Sequence, residues 1–182
     1  MENQTNPLTT KTIVAEYLDL RDENGNPTEP DVLTQIINYV SKYIESYTGR
    51  YFVYGQYTQE VYPDEVYLQA KALPIDRDVA LQVADESGQY DNISAIVEHA
   101  SAGIIKLTRS GVGIKVVYSG GYQGDTNVPP DVMGLATRLS ARIYEKRLSE
   151  GKTNESVEGQ SITWGQFITA DEKELLDTYR VY

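Results

Sequence analysis

The apolar positions of this chain change period twice, and the changes divide it into blocks. Over the first 49 residues the spacing is helical: Ile13, Val14, Tyr17 and Leu18 predict a short helix over 10–18. Residues 21–29 contain Asn24-Gly25-Asn26-Pro27 and read as a turn-rich connection. Val32, Leu33, Ile36, Ile37, Val40, Ile44 and Tyr47 then form one stripe of a longer helix. Thr28 is expected to cap that helix, Pro30 falls in its first turn, Asp31 follows Thr28 in a capping-box-like arrangement, and Gly49 stops it.

From residue 50 to 122 the period becomes two. Tyr51, Val53, Tyr57, Val61, Val66 and Leu68 fall among polar neighbours, and Leu73-Pro74-Ile75 leads into Val79-Ala80-Leu81-Gln82-Val83. Residues 93–97, 103–108 and 112–118 are further strands, the last two joined through Arg109-Ser110-Gly111 as a hairpin loop. The section predicts a five- or six-strand antiparallel insertion. Helical spacing returns at Pro129 or Pro130 and runs to about Leu148, with Val132, Leu135, Ala136, Leu139 and Ile143 on the buried face. Arg138, Arg142 and Lys146 make a second stripe on the same helix. Residues 151–158 read as a polar linker, and the final helix has Thr169 as cap, Asp171-Glu172 in its first turn and Arg180 at its end.

The blocks predict an α+β fold: a small helical bundle with a β-rich antiparallel insertion between helices, and an extended C-terminal arm ending in a short helix. Residues 1–49 supply the N-terminal helices, 50–122 the insertion, 123–150 the long helix, and 151–182 the linker and arm. At 182 residues the chain is long enough to bury a substantial core. No stretch approaches the roughly 18 consecutive apolar residues of a membrane span, and Met1-Glu2-Asn3-Gln4-Thr5-Asn6 lacks the features of a secretory signal.

Charge narrows the function classes. A net charge of −11 opposes tight binding to a phosphate backbone, which needs clustered Lys and Arg. An acidic wall can still serve DNA by repelling it. Tyrosine is abundant, 15 residues against 2 Phe and 1 Trp, and its large ring with a polar tip suits half-buried strands and protein interfaces.

Reactive chemistry is sparse. With no cysteine and one histidine, His99, neither a common zinc site nor a histidine-based triad is well supplied. Ser119-Gly120-Gly121-Tyr122 and Gly111-Val112-Gly113 fit no phosphate-loop or dinucleotide spacing and read as turns. Asp64-Glu65, Asp85-Glu86 and Asp171-Glu172 are acidic pairs at turns or a helix start, and the arginine–lysine stripe reads as an ion-pairing or solvated face. No catalytic, metal or cofactor site is expected. The apolar residues from 160 onward, Ile162, Trp164, Phe167, Ile168, Leu175, Leu176, Tyr179, Val181 and Tyr182, are too many for a free tail. Either they pack back on the chain's own core or they lie in a partner's groove.

An ordered set of features resembles the head–tail connector, or adaptor, proteins of long-tailed bacteriophages. It comprises a helix ending in Tyr47-Thr48-Gly49-Arg50-Tyr51-Phe52, then Leu73-Pro74-Ile75 before Val79-Ala80-Leu81-Gln82-Val83. Val116-Val117-Tyr118-Ser119-Gly120-Gly121-Tyr122 follows, then Val128-Pro129-Pro130-Asp131-Val132 opening a helix through Tyr144-Glu145-Lys146-Arg147. A Ser-Val-Glu-Gly-Gln-Ser stretch and Leu175-Leu176-Asp177-Thr178-Tyr179-Arg180 complete it. The resemblance implies a non-enzymatic virion protein of the neck, without cofactors. It would form a ring with itself, usually a dodecamer, beneath the portal protein, and extend the DNA channel toward a stopper or tail-completion protein. It implies portal binding through Trp164, Phe167, Leu175, Leu176 and Tyr179, while the basic stripe, Arg138, Arg142 and Lys146, would serve contacts between subunits. Another neck or tail-completion protein is the nearest alternative. An acidic carbohydrate-binding or glycosidase-like module is the alternative of a different class.

Overall fold

The computed structural model describes residues 7–61, 67–76, 82–84, 90–91, 95–107, 114–123, 128–148, 155–157, 160–162 and 167–181. The fold is mixed α+β, a helical core with a β-rich insertion. Its residues sort into two compact units, one built from Met1–Thr48 with Pro130–Arg180, the other from Gly49–Pro129 with Val181–Tyr182.

The helical unit contains α1 (Lys11–Tyr17), α2 (Pro30–Thr48), α3 (Pro130–Leu148) and α4 (Ala170–Asp177). Thr10 caps α1 by accepting the Ile13 N–H. In α2 the apolar stripe buries Leu33, Ile36, Ile37, Val40 and Ile44, and Gly49 closes the helix at φ +66°, a conformation glycine adopts without a side-chain clash. Thr28 does not cap this helix. Its N–H and hydroxyl both donate to the Leu20 carbonyl, at 3.0 and 3.4 Å, so it closes the preceding loop instead. Pro30 takes the first helical position, where its missing N–H costs nothing. Two buried polar contacts among the helices are hydrogen bonds, Ser41 accepting the Leu8 N–H at 3.0 Å and the hydroxyls of Thr9 and Thr137 lying 2.8 Å apart, while the buried Ser140 hydroxyl has no partner among the described residues. These bonds fasten the start of the described chain to α2 and α3.

Among its described residues the β-rich insertion is antiparallel, as expected, and its strands divide between two sheets. One has the order β1 (Gly55–Val61), β7 (Ile114–Gly120), β3 (Gln82–Ala84), β4 (Tyr90–Asp91). The other has the order β2 (Tyr67–Gln69), β6 (Ile104–Leu107), β5 (Ala95–His99). The hairpin expected across Arg109-Ser110-Gly111 is not formed: β6 pairs with β2 and β5, β7 with β1 and β3, and the loop itself lies outside the described residues. Alternation identifies strands but not their partners.

Leu68, Ala70, Ala72, Leu73, Ile75, Ile105, Val116 and Tyr118 form the core of this unit. Tyr118 is fully buried, and its hydroxyl accepts the N–H groups of Lys71 (2.9 Å) and Ala72 (3.2 Å) while donating to Gln59. Burial pushes this phenol up to about 12. Tyr51 stacks on Tyr57 with ring centres 4.7 Å apart. The glycines of the Ser-Gly-Gly-Tyr stretch serve close backbone approach. A Cβ on Gly120 would lie 2.6 Å from the Ala72 carbonyl oxygen, and one on Gly121, whose φ is +109°, 2.5 Å from that of Val53.

Beyond α3, β8 (Glu155–Val157) and β9 (Gln160–Ile162) pair antiparallel, so part of the stretch expected to be linker is a hairpin strand. Among the described residues no helix is long and apolar enough to cross a membrane.

Candidate interaction surface

The C-terminal segment of the helical unit is seated on a line of aromatic residues. Tyr39, Tyr43 and Tyr47 recur every four residues on α2 and so share a face. Phe167 meets Tyr43 edge-on at 4.9 Å between centroids and lies 6.3 Å from Tyr39. Arg142 of α3 donates to the Phe167 carbonyl at 2.7 Å. Thr169 and Glu172 then form a reciprocal capping box that starts α4.

Glu172 is the polar centre of this seat. Its carboxylate takes a two-point contact from the Arg142 guanidinium, at 2.9 and 3.0 Å, and accepts the Thr169 N–H at 2.9 Å. Arg138 stands 3.8 Å away. Hydrogen bonding from Arg142, against the opposing effect of burial, holds the Glu172 carboxyl down at about 2. Further along, Leu176 is fully buried, the Tyr47 hydroxyl donates to Asp177 at 2.8 Å, and the Tyr179 hydroxyl donates to the Asp131 carboxylate at 2.8 Å. The chain therefore packs α4 on its own helices, the first of the two arrangements open for these residues.

The residues singled out in the sequence divide accordingly. Arg142 and Arg138 are both engaged by Glu172, and Arg138 and Lys146 have exposed side chains on α3. Phe167, Leu175 and Tyr179 are half-buried, Leu176 is buried, and Trp164 lies outside the described residues. His99 is exposed at the end of β5. Asp64-Glu65 and Asp85-Glu86 lie outside the described residues. Glu172 does more than complement a helix dipole. Among the described residues no group of three or more potential ligands is placed to hold a metal ion. The Tyr39/Tyr43/Tyr47 spacing was the available signal for the aromatic seat. Only Tyr47 stands out when the chain is scanned for aliphatic periodicity.

Past Phe167 the seat opens into a groove of about 540 Å³ between α2 and α3. Val32, Ile36, Tyr39 and Phe167 give it an apolar lining, and Lys146 and Arg147 line it from α3. Arg147 is fixed by Glu29 at 2.8 Å, and Tyr144 donates to the same carboxylate at 2.8 Å. Those bonds hold the Glu29 carboxyl below its ordinary value, Arg147 contributing most. An apolar trough with a cationic side can hold protein segments.

No sequence-family model matches the chain, and no characterised protein is detectably similar to it in sequence. Solved structures are similar in fold. A chain from the neck of an empty gene transfer agent (GTA) particle, computed with C6 symmetry, matches all of this chain and 92% of its own length, with TM-score 0.65 at 14% identity. A chain from the neck of the native particle, computed with C12 symmetry, covers 94% of this chain and 90% of its own length, with TM-score 0.58 at 14% identity. A chain from the virion of the native particle covers 97% and 95%, with TM-score 0.59 at 17% identity.

Proposed function

We propose that this chain is a structural, non-enzymatic protein of the neck of a phage-like virion, working as an oligomeric ring between the capsid's portal and the tail. One observation carries the reading: the whole chain, both units included, follows the fold of a neck chain over 92% of that chain's length. The ordered sequence resemblance to head–tail connectors points the same way. The C6 and C12 symmetries of the similar necks support a ring, with a dodecamer as the expected size.

In that ring the negative charge of each copy has a use. DNA passing an acidic wall is repelled, and screening confines the repulsion to about 8 Å at physiological salt, so DNA slides without being held. The packed position of α4 shapes the portal contact. Leu176 seats the helix, and the half-buried Phe167, Leu175 and Tyr179 are the described residues that would meet the portal, with Trp164 joining them as the resemblance implies. The stripe of Arg138, Arg142 and Lys146 on α3 would serve the contact between subunits, with Arg142 and Arg138 also holding Glu172. A stopper or tail-completion protein occupies the far side of the ring.

Co-expression with a portal protein from the same genome tests this reading. Electron microscopy and mass measurement of the purified product are expected to show a ring of this chain on the portal. Monomers that ignore the portal would overturn it.

A further inference from the structure

We propose that Asn24 is a site of spontaneous covalent modification, converted to aspartate and isoaspartate through attack by the Gly25 nitrogen, and that Asp22 sets the rate. The inference stands independently of the neck reading.

The sequence selects the site. Asn24-Gly25 is the only asparagine–glycine pair in the chain. Modification requires the backbone nitrogen of the following residue to reach the asparagine side-chain carbonyl carbon, and a side chain on that residue obstructs the approach. Every other asparagine is followed by a residue that carries a side chain, and Asn6 and Asn26 by proline, which has no N–H to give up. The structure leaves the site open. Residues 21–26, between α1 and α2, are exposed, and a Cβ on Gly25 would meet nothing within 4 Å.

The chemistry needs only water. The Gly25 nitrogen loses its proton and bonds to the Asn24 Cγ, the bond from Cγ to Nδ2 breaks, and ammonia leaves. Water then opens the five-membered imide at either of its carbonyls. One opening gives aspartate, and the other gives isoaspartate, whose main chain is one carbon longer. The sum is asparagine plus water going to a carboxylic acid plus ammonia.

The loop holds this reaction back. The attacking nitrogen is engaged elsewhere: the Gly25 N–H donates to the Asp22 carbonyl at 2.9 Å. The Asp22 carboxylate closes the turn around it, one oxygen accepting the N–H groups of Asn24 at 2.9 Å and Asn26 at 2.8 Å. The Asp22 N–H donates in return to the Asn26 carbonyl at 2.9 Å. The bond from the Asn26 N–H is the main cause that lowers the Asp22 carboxyl below its ordinary value, so the acceptor is ionised at neutral pH. Imide closure therefore waits for the turn to open, and an exposed loop opens locally without global unfolding. In the product a second carboxylate shares the turn with Asp22, and the longer main chain of isoaspartate moves the Gly25 and Asn26 N–H groups off their acceptors.

The test incubates the full chain at neutral and mildly alkaline pH, folded and unfolded in guanidinium chloride, and follows each asparagine by peptide mapping. Mass spectrometry reads the exchange of NH2 for OH, and chromatography separates aspartyl from isoaspartyl peptides. Asn24 is expected to react first in both states, and more slowly in the folded chain. Asp22→Ala should speed the folded chain at least about fivefold, the weight of one net hydrogen bond. Asp22→Asn, which keeps an acceptor oxygen, should retain the native rate. Circular dichroism checks that both variants fold, and if Asp22→Ala does not, the folded-to-unfolded comparison in the native chain and Asp22→Asn decides. Another asparagine reacting first, equal rates in folded and unfolded chain, or an unchanged rate in folded Asp22→Ala would overturn the proposal.

Discussion

Replacing Glu172 with Gln should loosen α4 while leaving the rest of the helical unit folded. The carboxylate is only 10% exposed and contacts Arg142 at two points, and its pKa is held near 2 against an ordinary 4.5. At about 1.4 kcal/mol per unit the gross effect is about 3 kcal/mol. The Arg142 and Arg138 side chains, 34% and 45% exposed, are partly screened by water, which reduces the expected loss to about 1–2 kcal/mol. Gln keeps an acceptor for the Thr169 N–H, so the cap survives and the loss isolates the charge. Hydrogen exchange of the α4 amides at neutral pH should then rise about 5–30-fold, with α2 and the buried half of α3 unchanged. The sign with pH follows from the lowered pKa. The stabilisation is complete above the ordinary carboxyl value and disappears as pH falls through about 2, so wild type and variant should converge in acid. Unchanged protection in α4 at neutral pH would refute the reasoning.

Other sites give independent outcomes. Glu45 lies in the buried face of α2, and burial, opposed in part by Lys42, pushes its carboxyl up to about 7. Because the folded chain holds this proton more tightly than the unfolded one, stability should fall as pH rises from about 4.5 to 7. Glu45→Gln should therefore gain about 1–2 kcal/mol above pH 7 and little at pH 4.5, measured by urea unfolding. Gly121→Ala should cost about 2–3 kcal/mol in the β-rich unit, because alanine must take a φ of +109° and its Cβ meets the Val53 carbonyl. A denaturation midpoint unchanged in that variant would contradict the close approach described here. Tyr118→Phe should cost about 1–3 kcal/mol by stranding the buried Ala72 N–H, readable by the same method.

What was legible in the chain was local. The period of four in α2 and α3, Thr169 as a cap, and Gly49 as a stop are all decided by neighbours within a turn, and all appear in the structure. Thr28 misled because a threonine three residues before an acid fits a cap and a loop equally well. The loop bond to Leu20 won here. Strand pairing was the largest gap. Residues 103–108 and 112–118 look like a hairpin in sequence, yet the strands formed there belong to separate sheets, β6 between β2 and β5 and β7 between β1 and β3. The seat of α4 was hidden for the same reason: Arg142 and Glu172 are 30 residues apart, and nothing local joins the basic stripe to that acid. The Ser-Gly-Gly-Tyr stretch was read as a turn, and the structure adds that two other backbone segments crowd against it.

The central claim is that this chain belongs in a virion neck. The most direct measurement is a cryo-electron reconstruction of the particle whose genome encodes it, with symmetry relaxed below the capsid vertex. A closed ring of this fold between portal and tail is the expected result. Density for the chain elsewhere in the particle, or a neck that lacks it, would contradict the account.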